Sequence, residues 1–287
     1  MKISVIGANG QLGADLVKVL ISSGHTVQPL IRSELDITDL DSVQASLTRF
    51  NPDAVINTAA FVNVNLAETS VEAATLVNVQ GAANVARVAE GLGAATVYIS
   101  TDFIFDGAKP FSEFYETSDA AGPLNVYGRT KYEGELAVAG ETDNLLIYRI
   151  SSVFGAAGSS GKGGNFIEAI LRKVRAGEVT TVISDNSMTP TYTPNASVIL
   201  EALLSQGIRG VEHGSASNAC SWFDLAHYSA AKLGLGDLVV PSQSEPNPAV
   251  KRPANSALST KQLAEYGISS TPWQSAVDAY LLEKGYL

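Results

Sequence analysis

Tyr127 and Lys131 stand four residues apart in NVYGRTKYEGE, residues 125–135. On a helix, that spacing puts both side chains on one face. A free tyrosine keeps its proton up to a pKa of about 10, too high to trade it readily near neutrality. A neighbouring ammonium stabilises the phenolate and lowers that value. Such a pair can hand a proton to a carbonyl oxygen as negative charge develops on it. Alone the pattern is loose, and a surface tyrosine stacked on a lysine stem satisfies it equally well.

A second group of residues points to the same kind of oxygen. ISTDFIFDG, residues 99–107, closes a strand pattern with Ser100, Thr101 and Asp102. In open α/β sheets ligands bind at the carboxyl ends of the strands, so the Thr101 hydroxyl is placed to hydrogen-bond a substrate oxygen. A third group opens the chain. KISVI (2–6) runs into GANGQLG, with Gly7, Gly10 and Gly13 in a G-x-x-G-x-x-G spacing. Glycine permits the sharp strand-to-helix turn and the close approach of backbone N–H groups to a pyrophosphate. The helix that follows offers its positive end to the phosphates. In that context the loop reads as a dinucleotide site, with Gly7, Gly10, Gln11, Leu12 and Gly13 as cofactor-binding residues. A bound nicotinamide cation would lower the tyrosine pKa further, and Lys131 can hold the nicotinamide ribose as well.

These groups need a scaffold. KISVI (2–6), HTVQPLI (25–31), DAVINTA (53–59), ATVYIS (95–100) and NLLIYRI (144–150) read as buried parallel strands. Between them lie the helical patterns LGADLVKVLISS, DLDSVQASLTRF, LAETSVEAATLVNVQGAANVARVAEGL and TKYEGELAVAG. Strict alternation predicts right-handed βαβ units and an α/β, Rossmann-type doubly wound parallel sheet. The expected division is a dinucleotide-binding core over 1–154, followed by a smaller C-terminal lobe over 155–287. That lobe is mainly substrate-binding and interleaved with the core. FIEAILRKVRAG and PNASVILEALLSQG read as its helices, EVTTVI as a strand, and GAAGSSGKGGN (155–165) as a mobile loop near a site.

The second strand ends LIRSELD. Arg32 and Ser33 are placed to face a 2′-phosphate, which favours NADPH. Glu34 can equally hold the ribose hydroxyls, which leaves NADH open. The chain has 287 residues, 45% of them hydrophobic and 17% charged, a globular composition. A formal charge of −10 argues against a generic nucleic-acid or acidic-membrane surface, though not against a locally basic pocket for an anionic small molecule. Cys220 is the single cysteine, so a reducing compartment is expected. With no stretch that reads as a signal peptide or a membrane span, the expectation is a cytoplasmic protein.

Together, GxxGxxG, ST(D) and YxxxK resemble the pattern of extended short-chain dehydrogenases/reductases. GANGQLG, LDITD, VINTAAFVNVNLAE, STDFIFDG, PLNVYGRTKYEGE, NFI (165–167), TPT (189–191) and RPANSALS are similar to the dTDP-4-dehydrorhamnose reductase family, over about residues 1–285. The resemblance implies Thr101, Tyr127 and Lys131 as the catalytic set. It further implies NADPH-dependent reduction of the 4-keto group of a nucleotide-activated deoxysugar. Ala59 and Ala60 would line the cofactor cleft, and Asp36 with Ile37 would meet the adenine. Phe61, Val62 and Asp102 would lie near the sugar and Arg252 near its diphosphate. A guanidinium can grip phosphate oxygens bidentately, and the competing reading of Arg252 is a solvated loop arginine beside Pro253.

Four features depart from that family's pattern. Asn65 and Leu66 replace the acid and lysine of VDKAE, and Ser152 stands where a tryptophan is expected to pack on the sugar. Asn186 and Met188 alter the DQ-x-G-x-PT segment. Asp15 replaces a glutamate associated in some members with a magnesium-bridged dimer; a homodimer stays open here, and no metal is assigned. Two further readings remain beside reduction. One is a nucleotide-sugar epimerase. The other is a non-catalytic NADP-binding regulatory subunit like that of methionine adenosyltransferase, which the intact Thr101, Tyr127 and Lys131 oppose. A dehydratase would need a glutamate beside Asp102. His25, His213 and His227 lack metal-ligand spacing, and Cys220 lacks a paired base. Asn78 fits either a polar network below the site or a core hydrogen bond.

Overall fold

In the computed structural model, which describes residues 1–157, 164–245 and 248–287, the alternation read from sequence is present. The first half runs β1 (Lys2–Ile6), α1 (Gln11–Ser22), β2 (Thr26–Leu30), α2 (Leu40–Phe50), β3 (Ala54–Asn57), α3 (Val64–Ala67), α4 (Val71–Thr75), α5 (Ala82–Gly91), β4 (Ala95–Thr101), α6 (Val126–Ala139) and β5 (Leu145–Ile150). Then come β6 (Val153–Phe154), α7 (Phe166–Arg175), β7 (Thr180–Ile183), β8 (Thr191–Tyr192), α8 (Thr193–Ser205), β9 (Gly210–His213), α9 (Trp222–Ala231), β10 (Val239–Ser242) and α10 (Trp273–Glu283). The main sheet has six parallel strands in the order β2-β1-β3-β4-β5-β9. It is an α/β sheet of Rossmann type with helices on its faces.

β3, β4 and β5 are buried at every residue, which is why they read as unbroken apolar runs. β2 lies at the edge, where Pro29 costs no ladder hydrogen bond on its open side. The opposite edge, β9, has the sequence GVEH, too short and too polar to read as a strand. α8 packs along α1, and Ile199, Leu200 and Leu203 share a core with Leu12, Leu16 and Leu20. Residues beyond 155 therefore complete the main sheet and cover one of its faces. They also build a second core, around Phe154, Ile167, Leu171, Leu225, Trp273 and Tyr280. Two small parallel pairs, β7 with β10 and β6 with β8, lie in this part. Most of the loop expected over 155–165 falls on 158–163, outside the described residues. Among the described residues no helix is long and apolar enough to cross a membrane.

The long helical pattern after residue 66 is not one helix. It divides into α3, α4, a π-helical stretch over Leu76–Gly81, and α5. A π turn adds a residue and redirects side chains, and such turns recur at functional sites. Here it aims buried Asn78 at Phe61 and Thr130. Phe61 N donates to Asn78 Oδ1 at 2.8 Å, while Nδ2 donates to Phe61 O at 3.3 Å and to Thr130 Oγ1 at 3.0 Å. Asn78 thus ties the turn after β3 to the helix that carries Tyr127. Gly81 is required in the same stretch, since a Cβ there would lie 2.7 Å from Ile37 Cγ1.

A buried ion pair fixes α6 to the sheet. Arg149 on β5 donates from Nε and Nη2 to both oxygens of Glu135 on α6, at 3.0 and 2.8 Å, and from Nη1 to Thr117 O at 3.1 Å. Beside it, buried His213 has Nδ1 2.9 Å from Ser259 O, an acceptor, so Nδ1 carries the hydrogen. Burial, with Arg149 nearby, pushes His213 down to about 3 from 6.5. A folded pKa below the unfolded one gives stability that is complete above 6.5 and lost as pH falls through that range toward about 3. The denaturation midpoint is therefore expected to fall between roughly pH 7 and pH 4.5, with His213→Asn, which keeps a donor for Ser259, removing part of that slope. Identical slopes for the two proteins would contradict this.

Candidate active site

Asn125 starts α6. Its Oδ1 accepts from Gly128 N at 2.8 Å, the side-chain cap an N-terminal helix turn requires. Its Nδ2 donates to Lys251 O at 2.9 Å and ties the cap to the C-terminal segment. A Cβ on Gly128 would sit 2.1 Å from Phe103 O, so glycine lets the first turn of α6 close against the turn that follows β4. This close approach brings Tyr127 to Thr101, and the Phe103 ring packs edge-on to Tyr127 at 5.8 Å.

Thr101 ends β4. Its Oγ1 accepts from Phe103 N at 3.3 Å and donates to Asp102 Oδ1 at 3.2 Å, with the Tyr127 hydroxyl beside it. Burial pushes Tyr127 up to about 12; the Thr101 hydrogen bond opposes the rise and Asp102 adds to it. The expectation that Lys131 lowers Tyr127 does not describe the free protein. Lys131 is itself buried, and desolvation brings it down to about 7 against the pull of Glu135. Its Nζ donates to Ile99 O at 2.7 Å and lies 3.9 Å from the centre of the Tyr98 ring. Tyr127 is therefore neutral near pH 7, the protonation state a proton donor needs.

The glycine loop adjoins this edge. Gly7 has φ +81°, and Gly10 N donates to Gly7 O at 2.9 Å. A Cβ at Gly13 would lie 2.2 Å from Gly7 O. Gly10 caps α1 without a side chain, so the first N–H groups of the helix face the cleft uncapped. Gln11 Nε2 is buried and has no hydrogen-bond partner among the described residues. Leu12 turns its side chain into the core, leaving its backbone to the loop. Ala59 and Ala60 are half-buried on the turn after β3, where Ala59 N donates to Asn57 Oδ1 at 3.1 Å.

At the end of β2, Arg32 is exposed, while the Glu34 carboxylate accepts from Ile31 N at 3.0 Å. Asp36 accepts from the Thr38 N–H and hydroxyl, which hold its carboxyl below the usual range. Ile37 is buried in the core, so its side chain does not lie open to an adenine; its carbonyl accepts from Asn84 at 3.1 Å.

The residues expected at the substrate fare differently. Phe61 is held by Asn78, and Val62 is exposed. Arg252 is exposed and donates from Nη2 to Asn65 Oδ1 at 2.8 Å. A neutral amide positions that guanidinium without cancelling its charge, so the Asn65 departure and the Arg252 expectation meet at one place. Asp102 is 2% exposed, and its carboxylate is enclosed by the hydroxyls of Ser151, Ser256 and Thr101. Ser152, next in the chain, has φ 47°, a left-handed backbone that residues other than glycine seldom adopt. Asp15 is also buried, accepting from Lys18 Nζ at 2.8 Å and from Thr193 Oγ1 at 2.6 Å, and so joins α1 to α8.

Sequence reasoning missed Ser151 and Ser256, which reach Asp102 across 49 and 154 residues without a local signal. It missed Tyr98 as well, a strand residue indistinguishable from core. Asn125 could have been found, since an Asn three residues before Gly128 at a helix start is a cap signal.

The family model described as RmlD substrate binding domain matches residues 1–285. The spore coat polysaccharide biosynthesis protein SpsK of Bacillus subtilis is 34% identical over 284 residues, covering 99% of this chain and 98% of that protein. A dTDP-4-dehydrorhamnose reductase of Aggregatibacter actinomycetemcomitans is 34% identical over 292 residues, covering 96% of this chain and 97% of the reductase. Among solved structures, the dTDP-4-dehydrorhamnose reductase of Bacillus anthracis in complex with NADP superposes with a TM-score of 0.91 at 31% identity, covering 98% of this chain and 99% of that one. The chain is thus an oxidoreductase of the extended short-chain dehydrogenase/reductase type and belongs to the RmlD substrate binding domain family.

Proposed function

We propose that the protein reduces the 4-keto group of a nucleotide-activated deoxysugar, of the dTDP-4-dehydrorhamnose type, with NADPH. The observation that carries this is the Tyr127–Thr101 hydroxyl pair at the carboxyl end of β4, with Tyr127 held neutral and Lys131 buried one turn further along α6. The cleft suits a dinucleotide. The Gly7–Gly13 cradle admits no Cβ at its closest point, the α1 terminus is uncapped, and the Gln11 amide is a buried donor awaiting an acceptor.

When bound, the reduced nicotinamide supplies hydride. Tyr127 gives its hydroxyl proton to the oxygen of the reduced carbon, and Thr101 orients that oxygen. Lys131, charged or neutral close to pH 7, holds the nicotinamide ribose and steadies the phenolate that Tyr127 becomes. Arg252 grips the diphosphate, and the residues beyond 155 supply most of the substrate contacts.

Arg32 faces the 2′-phosphate, because Glu34 is committed to its own backbone and Arg32 is exposed. Arg32→Ala is expected to raise KM for NADPH about tenfold and leave KM for NADH nearly unchanged; an equal effect on both would move the 2′-phosphate elsewhere. The function itself is tested by the fall in reduced-nicotinamide absorbance with dTDP-4-keto-6-deoxy sugar made in situ. Substrate-dependent oxidation is expected, and tight NADPH binding without oxidation would overturn the proposal.

A further inference from the structure

The hydroxyls around Asp102 impose a direction on the hydrogen bonds at Thr101. Asp102 Oδ2 accepts from Ser151 Oγ at 2.8 Å and Ser256 Oγ at 2.5 Å, while Oδ1 faces Thr101 Oγ1 at 3.2 Å. A threonine hydroxyl has one hydrogen and two lone pairs. With Asp102 ionised, the hydrogen of Thr101 goes to Oδ1, and one of its lone pairs takes the Phe103 N–H. Nothing at Thr101 is then left to donate into the cleft.

Protonation reverses the chain. Two incoming hydroxyls occupy Oδ2, so the proton belongs on Oδ1 and points at Thr101 Oγ1. The Thr101 lone pairs are then filled by Asp102 and Phe103, and its hydrogen turns toward the cleft. The Tyr127 hydroxyl lies beside it. Two donors converge on one substrate oxygen.

We propose that Asp102 is a positioning residue for the keto reduction, whose proton on Oδ1 converts the Thr101 hydroxyl from a donor to Asp102 into a donor to the substrate oxygen. This rests on the reductase reading above. Burial raises Asp102 to about 6, and the three hydroxyls restrain that rise. The titratable group facing Asp102 is Tyr127 of α6; the contacts from β4, from the end of β5 and from the C-terminal segment are the neutral hydroxyls of Thr101, Ser151 and Ser256.

The test is kcat and KM from roughly pH 5.5 to 8.5 for wild type, Asp102→Asn and Ser256→Ala. In the wild type, kcat falls about tenfold or more from its acid plateau as pH rises through the Asp102 range, with KM little changed. In Asp102→Asn the two serines keep the amide oxygen on their side, so Nδ2 donates permanently to Thr101 and the fall through the Asp102 range disappears, leaving only the limb of Lys131 at about 7. Ser256→Ala removes a donor that favours the carboxylate, so the Asp102 pKa rises and the fall moves to higher pH. A wild-type profile retained in Asp102→Asn overturns the proposal, as does a Ser256→Ala limb that stays or moves to lower pH. If Asp102→Asn does not fold, the Ser256→Ala shift decides alone. Failure of the wild type to oxidise NADPH with keto sugar at any pH instead overturns the reductase reading itself.

Discussion

Tyr127→Phe is expected to lower kcat for keto-sugar reduction about a thousandfold while leaving NADPH affinity within about twofold of wild type. The ring stays, so its edge-on packing with Phe103 and the first turn of α6 are kept. What is lost is the hydrogen that balances the arriving hydride. Without it the reduced carbon carries an alkoxide in a cleft where the remaining hydroxyl, Thr101, donates to Asp102 in the free protein. Burial strengthens the case for a donor rather than a base: with Tyr127 pushed up to about 12, its proton is present throughout the neutral range. Lys131, brought down to about 7, is buried one turn further along α6. Stopped-flow absorbance with pre-bound NADPH reads the chemical step directly. A wild-type rate in the Phe variant would remove Tyr127 from the proton transfer.

The second large effect concerns stability. Arg149→Met is expected to cost about 3–5 kcal/mol, because it strands the Glu135 carboxylate in an interior where both side chains are almost fully covered, 6% and 4% exposed. It also frees the Thr117 carbonyl from its donor. Replacing both residues, Arg149→Met with Glu135→Met, is expected to recover most of that loss, since no charge is then left unpaired. Urea denaturation of the two variants and the wild type reads both values. A single variant within about 0.5 kcal/mol of wild type would show that the pair is solvated and not buried as described. The pair matters to the site because it anchors α6, whose first turn holds Tyr127 and whose second holds Lys131.

What the sequence makes legible follows from the range of each interaction. The five strands and their order of appearance are local signals, each a short run of β-branched and apolar residues between helical patterns. The glycine loop is also local, since Gly7, Gly10 and Gly13 meet within one turn. The sheet's last strand was illegible because Gly210–His213 has a single apolar residue, Val211, and owes its place to pairing with β5. The break in the long helix was hidden for a related reason. Its π stretch is stabilised by Asn78 reaching Phe61 and Thr130, contacts 17 and 52 residues away.

At the site, the placement of Thr101, Tyr127 and the glycines was readable because each sits at an element end. Asp102 was placed near the sugar by the family resemblance. The structure turns its carboxylate inward because Ser151 and Ser256, on distant segments, offer better partners than the open cleft. The upward shift of Tyr127 in the free protein was illegible on similar grounds, since the lowering read from sequence included a bound nicotinamide cation. Spacing placed an ammonium near the phenol but said nothing of how deeply α6 and β4 would bury both.

The most direct measurement uses NADPH carrying deuterium on the transferable nicotinamide carbon, with dTDP-4-keto-6-deoxy sugar as acceptor and NMR of the isolated product. Reduction through Thr101, Tyr127 and Lys131 predicts one deuterium at C4 of the sugar, a hydroxyl in place of the ketone, and one oxidised cofactor per product. A sugar unlabelled at C4, or one epimerised without net consumption of NADPH, would contradict it.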